Sequence, residues 1–99
     1  MIVASEFGRT PKINHLYGRD HWSKAWSVAV GGCGVLGGAV VGKTNANGTA
    51  VTDREVNGGH LFHTYFRALG LDPTQNHYPD DRPIPMTDPK ASAIKEVLA

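Results

Sequence analysis

A chain of 99 residues, 40% of them apolar, can form at most one small domain with a thin core, and its 12 glycines and 6 prolines leave room for few long helices. Ten basic against nine acidic side chains give a net charge of +1, which excludes a field strong enough to gather nucleic acid or an anionic membrane. The single cysteine excludes an internal disulfide and a cysteine-rich zinc module, and no apolar run approaches the roughly 20 residues of a membrane helix.

Residues 1–4 are apolar and partly β-branched, and read as the end of a buried strand. The start has no charged stretch followed by an apolar one, so no signal peptide is read there. A chain that opens directly on a strand and reaches Glu6 within five residues suggests that upstream sequence is missing. Thr10-Pro11 and Gly18 bracket a loop, and residues 20–26 fit one helical turn or an irregular connection. Residues 27–31 form a second buried-strand candidate, followed by the glycine-rich stretch 31–38. An apolar run at 39–41 and the Asn47-Gly48 turn signal predict a β-hairpin.

The best helix spans about 59–69, where Leu61, Phe62, Tyr65, Phe66 and Leu69 fall on one stripe. Gly70 ends it and Pro73 prevents its resumption. Residues 73–90, rich in proline and aspartate, are expected to be an extended surface segment, and residues 91–98 a short helix.

Two loop-like stretches concentrate the chemistry. Residues 5–11 (Ser-Glu-Phe-Gly-Arg-Thr-Pro) and 18–22 (Gly-Arg-Asp-His-Trp) hold two carboxylates, two guanidinium groups and an imidazole. Glu6, Asp20 and His21 are candidate metal ligands, since hard divalent cations take carboxylate oxygens and zinc also accepts imidazole nitrogen. The competing reading pairs Glu6 with Arg9 or Arg19 and ties His21 to a backbone carbonyl; both stay open. Arg9 and Arg19 can each fork onto a phosphate or sulfate, or serve as structural arginines.

The other motifs say less. Gly32-Cys33-Gly34-Val35-Leu36-Gly37, with Asp53 further on, matches a dinucleotide fingerprint in form, but the glycines and asparagines that follow leave no space for the helix that receives the pyrophosphate. His60 and His63 have a spacing able to chelate a metal, yet stand beside Arg67 on what reads as a solvent-facing side. Ser5 and Cys33 have no base at a diagnostic spacing and are not read as nucleophiles.

In order and spacing these motifs resemble the carboxy-terminal part of the family called domain of unknown function 1501 (DUF1501), which is itself similar to sulfatases and alkaline phosphatases. Further matching segments are Asp53-Arg54-Glu55-Val56, Ala68-Leu69-Gly70-Leu71-Asp72-Pro73 and Asp81-Arg82-Pro83-Ile84-Pro85, so the resemblance covers nearly the whole chain.

The resemblance implies an α/β fold: the C-terminal fragment, residues 1–99, of one α/β/α sandwich around a mostly parallel sheet, with a glycine-rich β-hairpin. It places Glu6-Phe7-Gly8 where sulfatase-like enzymes carry Asp-His-Gly, and His21 where they carry a later histidine. A divalent metal (zinc, calcium or magnesium) on Glu6, Asp20 and His21 is then expected, with Arg9 and Arg19 binding the anion of a small-molecule or glycan ester. Phe7 offers no lone pair where a ligand is expected. The nucleophile is expected upstream in the missing remainder of the domain, so these 99 residues are expected to be inactive, to expose apolar faces, and to aggregate or stay loose. Family members often carry a twin-arginine signal, which implies export to the periplasm or beyond for a full-length protein. The rivals are a non-catalytic sulfatase-like binding or scaffold protein and a nucleotide-binding α/β module.

Overall fold

No strand exceeds three residues. The computed structural model describes residues 1–99, which gather into two units: residues 1–32 with 41–55, and residues 33–40 with 56–99.

The first unit is built from three antiparallel pairs. β1 (Ile2–Val3) pairs with β4 (Ala29–Val30), and the pairing is extended by the Gly31 amide donating to the Met1 carbonyl and the Met1 ammonium donating to the Gly31 carbonyl. β2 (Gly8–Arg9) pairs with β3 (His21–Trp22), placing Gly8 opposite Trp22 and Arg9 opposite His21. β5 (Lys43–Thr44) and β6 (Val51–Asp53) form the hairpin expected from Asn47-Gly48. Asn45 closes its turn: its Oδ1 accepts from the Thr49 amide and its Nδ2 donates to the Thr49 hydroxyl. The Trp22 indole N–H donates to the Thr49 carbonyl at 2.7 Å, which ties the β2–β3 ribbon to this hairpin.

In the second unit α1 (Gly58–Ala68) is fixed at both ends. Asn57 caps it by accepting from the His60 amide, while the Asn57 amide donates to His60 Nδ1. At the other end Gly70, at φ +80°, sits where an L side chain is disfavoured. Its amide bonds the Arg67 carbonyl and the Leu71 amide bonds the Phe66 carbonyl, a Schellman stop.

The side of α1 turned inward is polar: Thr64 is 1% and His63 5% exposed. Thr64 Oγ1 donates to the His60 carbonyl and accepts the Ile94 amide. His63 Nε2 lies 2.7 Å from the Asp88 carbonyl and 2.9 Å from Thr87 Oγ1, whose own proton goes to the Pro73 carbonyl. Both neighbours of Nε2 are therefore acceptors, so the proton sits on Nε2. β7 (Asn76–His77) pairs with β8 (Ile84–Pro85) in a fourth two-stranded sheet.

This architecture corrects the expected α/β/α sandwich with its mostly parallel sheet. All four strand pairs are antiparallel and each strand has a single neighbour. A parallel sheet needs crossovers of a dozen or more residues and strands buried on both faces. Here Ile2 and Val3 are 49% and 60% exposed, and α1 connects β6 to β7, which belong to different sheets.

Local expectations shift too. The proline-rich stretch forms the β7–β8 hairpin, with Pro73 and Thr87 buried, rather than a purely extended surface. The tail holds only a single turn of 3-10 helix, Lys95–Val97. After Gly37 the chain enters no helix, and Val35 instead bridges to Leu98, so the helix that a dinucleotide fingerprint requires is not formed there.

Candidate functional site

The β2–β3 ribbon carries most of the residues singled out by their chemistry. Side chains alternate across a strand and directly opposed residues share a face, so Arg9 and His21 stand side by side. Phe7, two residues before Arg9, belongs to the same face. Its ring centroid lies 3.9 Å from that of His21 at an interplanar angle of 31°, and the Arg9 guanidinium carbon is 5.8 Å from the Phe7 ring. A half-buried aromatic ring thus contacts an exposed imidazole and an exposed guanidinium.

The other face explains Gly8. A Cβ there would lie 2.4 Å from the Ala25 carbonyl oxygen and 2.8 Å from Trp26 Cβ, so the 25–26 segment approaches the ribbon as only glycine permits. Lys24 Nζ stands 5.5 Å from the Trp22 ring.

The loop between the strands is held by its own polar groups. Arg9 Nη1 donates to the Arg19 carbonyl at 3.1 Å, and Arg19 Nη1 donates to the Thr10 and Pro11 carbonyls. The Thr10 amide bonds the Asp20 carbonyl and the Asp20 amide bonds Thr10 Oγ1, which carries the ribbon one residue beyond the strands. Asn14 Oδ1 accepts from the Leu16 and Gly18 amides, while its Nδ2 donates to Asp20 Oδ1 at 3.0 Å.

Arg9 and His21 are therefore brought together, and Arg19 is joined to Arg9 through a carbonyl. Asp20 is not brought to His21. As successive residues of an extended ladder they point to opposite faces, and the Asp20 carboxylate is engaged by Asn14. Glu6 is exposed. No group of three or more His, Cys, Asp or Glu side chains is placed to hold a metal ion.

The Arg9 guanidinium with the adjacent His21 imidazole offers donors that suit a tetrahedral anion. Arg9 has four further N–H donors beyond the one hydrogen its Nη1 gives to Arg19, and His21 adds a ring N–H. The hydroxyls near this face are committed, Ser5 Oγ to the Phe7 carbonyl and Thr10 Oγ1 to the Lys12 carbonyl, so neither is poised as a nucleophile.

Sequence reasoning treated Phe7 only as a lost ligand and missed it as the ring that meets both the His21 imidazole and the Arg9 guanidinium. The period-2 spacing of Phe7 and Arg9 was the available signal. His60 and His63 do not form a chelating pair, since one caps α1 and the other is locked to Asp88 and Thr87.

No curated protein and no solved structure matches this chain. The model of one protein family, described as proteins of unknown function, matches residues 1–98 and so nearly the whole chain. The chain belongs to that family, DUF1501.

Proposed function

We propose that this chain supplies the anion-holding ribbon of an ester hydrolase, with the face of Arg9 and His21 receiving the sulfate or phosphate group of a small-molecule or glycan ester. The observation that carries this reading is the cross-strand placement of Arg9 beside His21, with Phe7 3.9 Å from the imidazole. The bond from Arg9 Nη1 to the Arg19 carbonyl limits the swing of the guanidinium and lowers the entropy lost when an anion binds. The adjacent Phe7 ring covers one side of the imidazole, and the Arg9 guanidinium supplies charge-assisted hydrogen bonds to the anion.

In this reading the ribbon binds and orients the anion and performs no bond breaking, because the nearby hydroxyls are engaged. The commitment of those hydroxyls also favours a second reading, a family member that binds sulfated or phosphorylated ligands without turnover.

The test is a titration of the 99-residue protein with inorganic phosphate and with sulfate, followed by NMR at the Arg9 side chain and His21 ring. Both signals are expected to move together and saturate, with Arg9→Gln weakening binding roughly tenfold. Signals that stay fixed through tens of millimolar of either anion overturn the proposal. Hydrolysis of an aryl phosphate or aryl sulfate by this chain alone would overturn the binding-only role given to the ribbon.

A further inference from the structure

The chain contains two Asn-Gly pairs, Asn47-Gly48 and Asn57-Gly58, and both asparagines are exposed. In such a pair the backbone nitrogen that follows asparagine reaches the carboxamide with no β-carbon in the way. The fold restrains the two pairs very differently. The Asn57 carboxamide oxygen accepts the His60 amide, its backbone N–H donates to His60 Nδ1, and its carbonyl accepts the Leu61 amide, so its side chain and the peptide after it are both fixed by the start of α1. At the tip of the β5–β6 hairpin the turn is closed by the side chain of Asn45 instead of Asn47. The Asn47 carboxamide enters none of those bonds, and the peptide after it is restrained by one bond, from the Gly48 amide to the Asn45 carbonyl at 3.1 Å.

We propose that Asn47 is a site of spontaneous modification in the folded protein, converting to aspartate and isoaspartate while the helix cap protects Asn57. The Gly48 nitrogen gives up its proton and bonds to Asn47 Cγ. The Cγ–Nδ2 bond then breaks, and the departing nitrogen takes up a proton and leaves as ammonia. Water opens the cyclic imide that remains. Cleavage between the Gly48 nitrogen and Cγ gives aspartate, and cleavage between that nitrogen and the Asn47 main-chain carbonyl carbon gives isoaspartate, with the chain routed through Cβ. Water is the co-reactant, and no oxidant or cofactor takes part.

The consequence lies across the hairpin. Isoaspartate adds a carbon to the main chain between Asn45 and Thr49, the residues whose two bonds, at 2.8 and 2.9 Å, close the turn. The Thr49 carbonyl is also the acceptor of the Trp22 indole. Conversion therefore loosens the tie between this hairpin and the β2–β3 ribbon, and it takes the formal net charge from +1 to neutral.

The test incubates the folded chain at mildly alkaline pH, where loss of the Gly48 amide proton is favoured. Trypsin, which cuts after lysine and arginine, leaves Asn47 in the peptide 44–54 and Asn57 in the peptide 55–67, so mass spectrometry follows the exchange of amide for acid at each separately. Conversion should run roughly tenfold faster at Asn47, because ring closure at Asn57 must first give up its cap. In urea, where neither pair is held, the two rates should converge. As isoaspartate accumulates, the Trp22 indole proton should exchange with solvent several-fold faster. Asn47→Gln, whose longer side chain disfavours ring closure, should keep both the mass of 44–54 and the indole exchange constant; if that variant fails to fold, the comparison of folded with urea-treated protein decides. No conversion at Asn47, equal or faster conversion at Asn57 in the folded chain, or a mass change that fragment spectra place on Asn45 overturns the proposal. Unchanged indole exchange in fully converted protein overturns the loosening of the ribbon.

Discussion

In residues 1–32 with 41–55 the buried apolar side chain is Ala25, and order comes from three short strand pairs and the hydrogen bonds of the loops between them. In residues 33–40 with 56–99 a capped helix turns His63 and Thr64 inward, and buried Thr87 and Ile94 complete a bonded network. Neither unit has the apolar interior that usually dominates stability. They therefore fail in different ways, the first where backbone meets backbone and the second where a buried polar group loses its partner.

The sharpest way to break the first unit is Gly8→Ala. The added methyl would fall 2.4 Å from the Ala25 carbonyl oxygen, and a backbone atom cannot swing aside as a side-chain tip can. A cost of about 3 kcal/mol is expected, at the upper end for overpacking. Both tryptophans, Trp22 and Trp26, lie in this unit, so fluorescence-monitored urea unfolding reads the loss. A shift of the midpoint corresponding to less than about 0.5 kcal/mol would mean that the 25–26 segment does not cross the ribbon closely.

Thr64→Val, in the second unit, keeps the shape and removes the hydroxyl. The Ile94 amide, buried and bonded to Thr64 Oγ1 at 2.8 Å, then loses its acceptor. A destabilisation of about 2 kcal/mol is expected, the cost of orphaning a buried donor. Amide exchange along α1 should accelerate while tryptophan fluorescence changes little. Equal loss in both probes would show that the two units unfold as one, and the comparison would collapse.

How far each region could be read from sequence follows from the same contrast. Helix α1 was legible within one residue at each end because its signals are local: a periodic stripe, and Gly70 followed by Pro73. The β5–β6 hairpin was legible for the same reason, through Asn47-Gly48. The exposure of the apolar face of α1 around Phe62 was expected too, because the rest of the domain was read as missing, and Phe62 is 56% exposed. What left no local signature is that Thr64 and His63 find buried partners on the other side. The pairing of β1 with β4, some 27 positions apart, also leaves no local signature, and two apolar runs were mistaken for members of a parallel sheet.

At the candidate site, sequence singled out Arg9, Arg19 and His21, but not which residues would meet. Arg9 meets His21 because the ribbon register sets them opposite each other, and strand alternation separates Asp20 from His21 although they are neighbours in the chain.

The smallest expected effect concerns a turn outside the buried network. Asp72 is fully solvent-exposed, and its pKa is held below the ordinary aspartate value mainly by the Thr74 hydroxyl, 2.6 Å from Oδ1, then by the Thr74 amide at 2.9 Å, with Arg67 adding a smaller attraction. A carboxylate depressed in the folded state stabilises the fold above its unfolded pKa, and that contribution is lost as pH falls through the folded pKa. Thr74→Val removes the largest cause and leaves the amide. The Asp72 titration, followed by carboxyl-carbon NMR, should therefore move up only part of the way to the ordinary value, and Arg67→Ala should move it less. If Arg67→Ala moves it more, the depression is long-range attraction rather than a turn bond, and added salt would then abolish it.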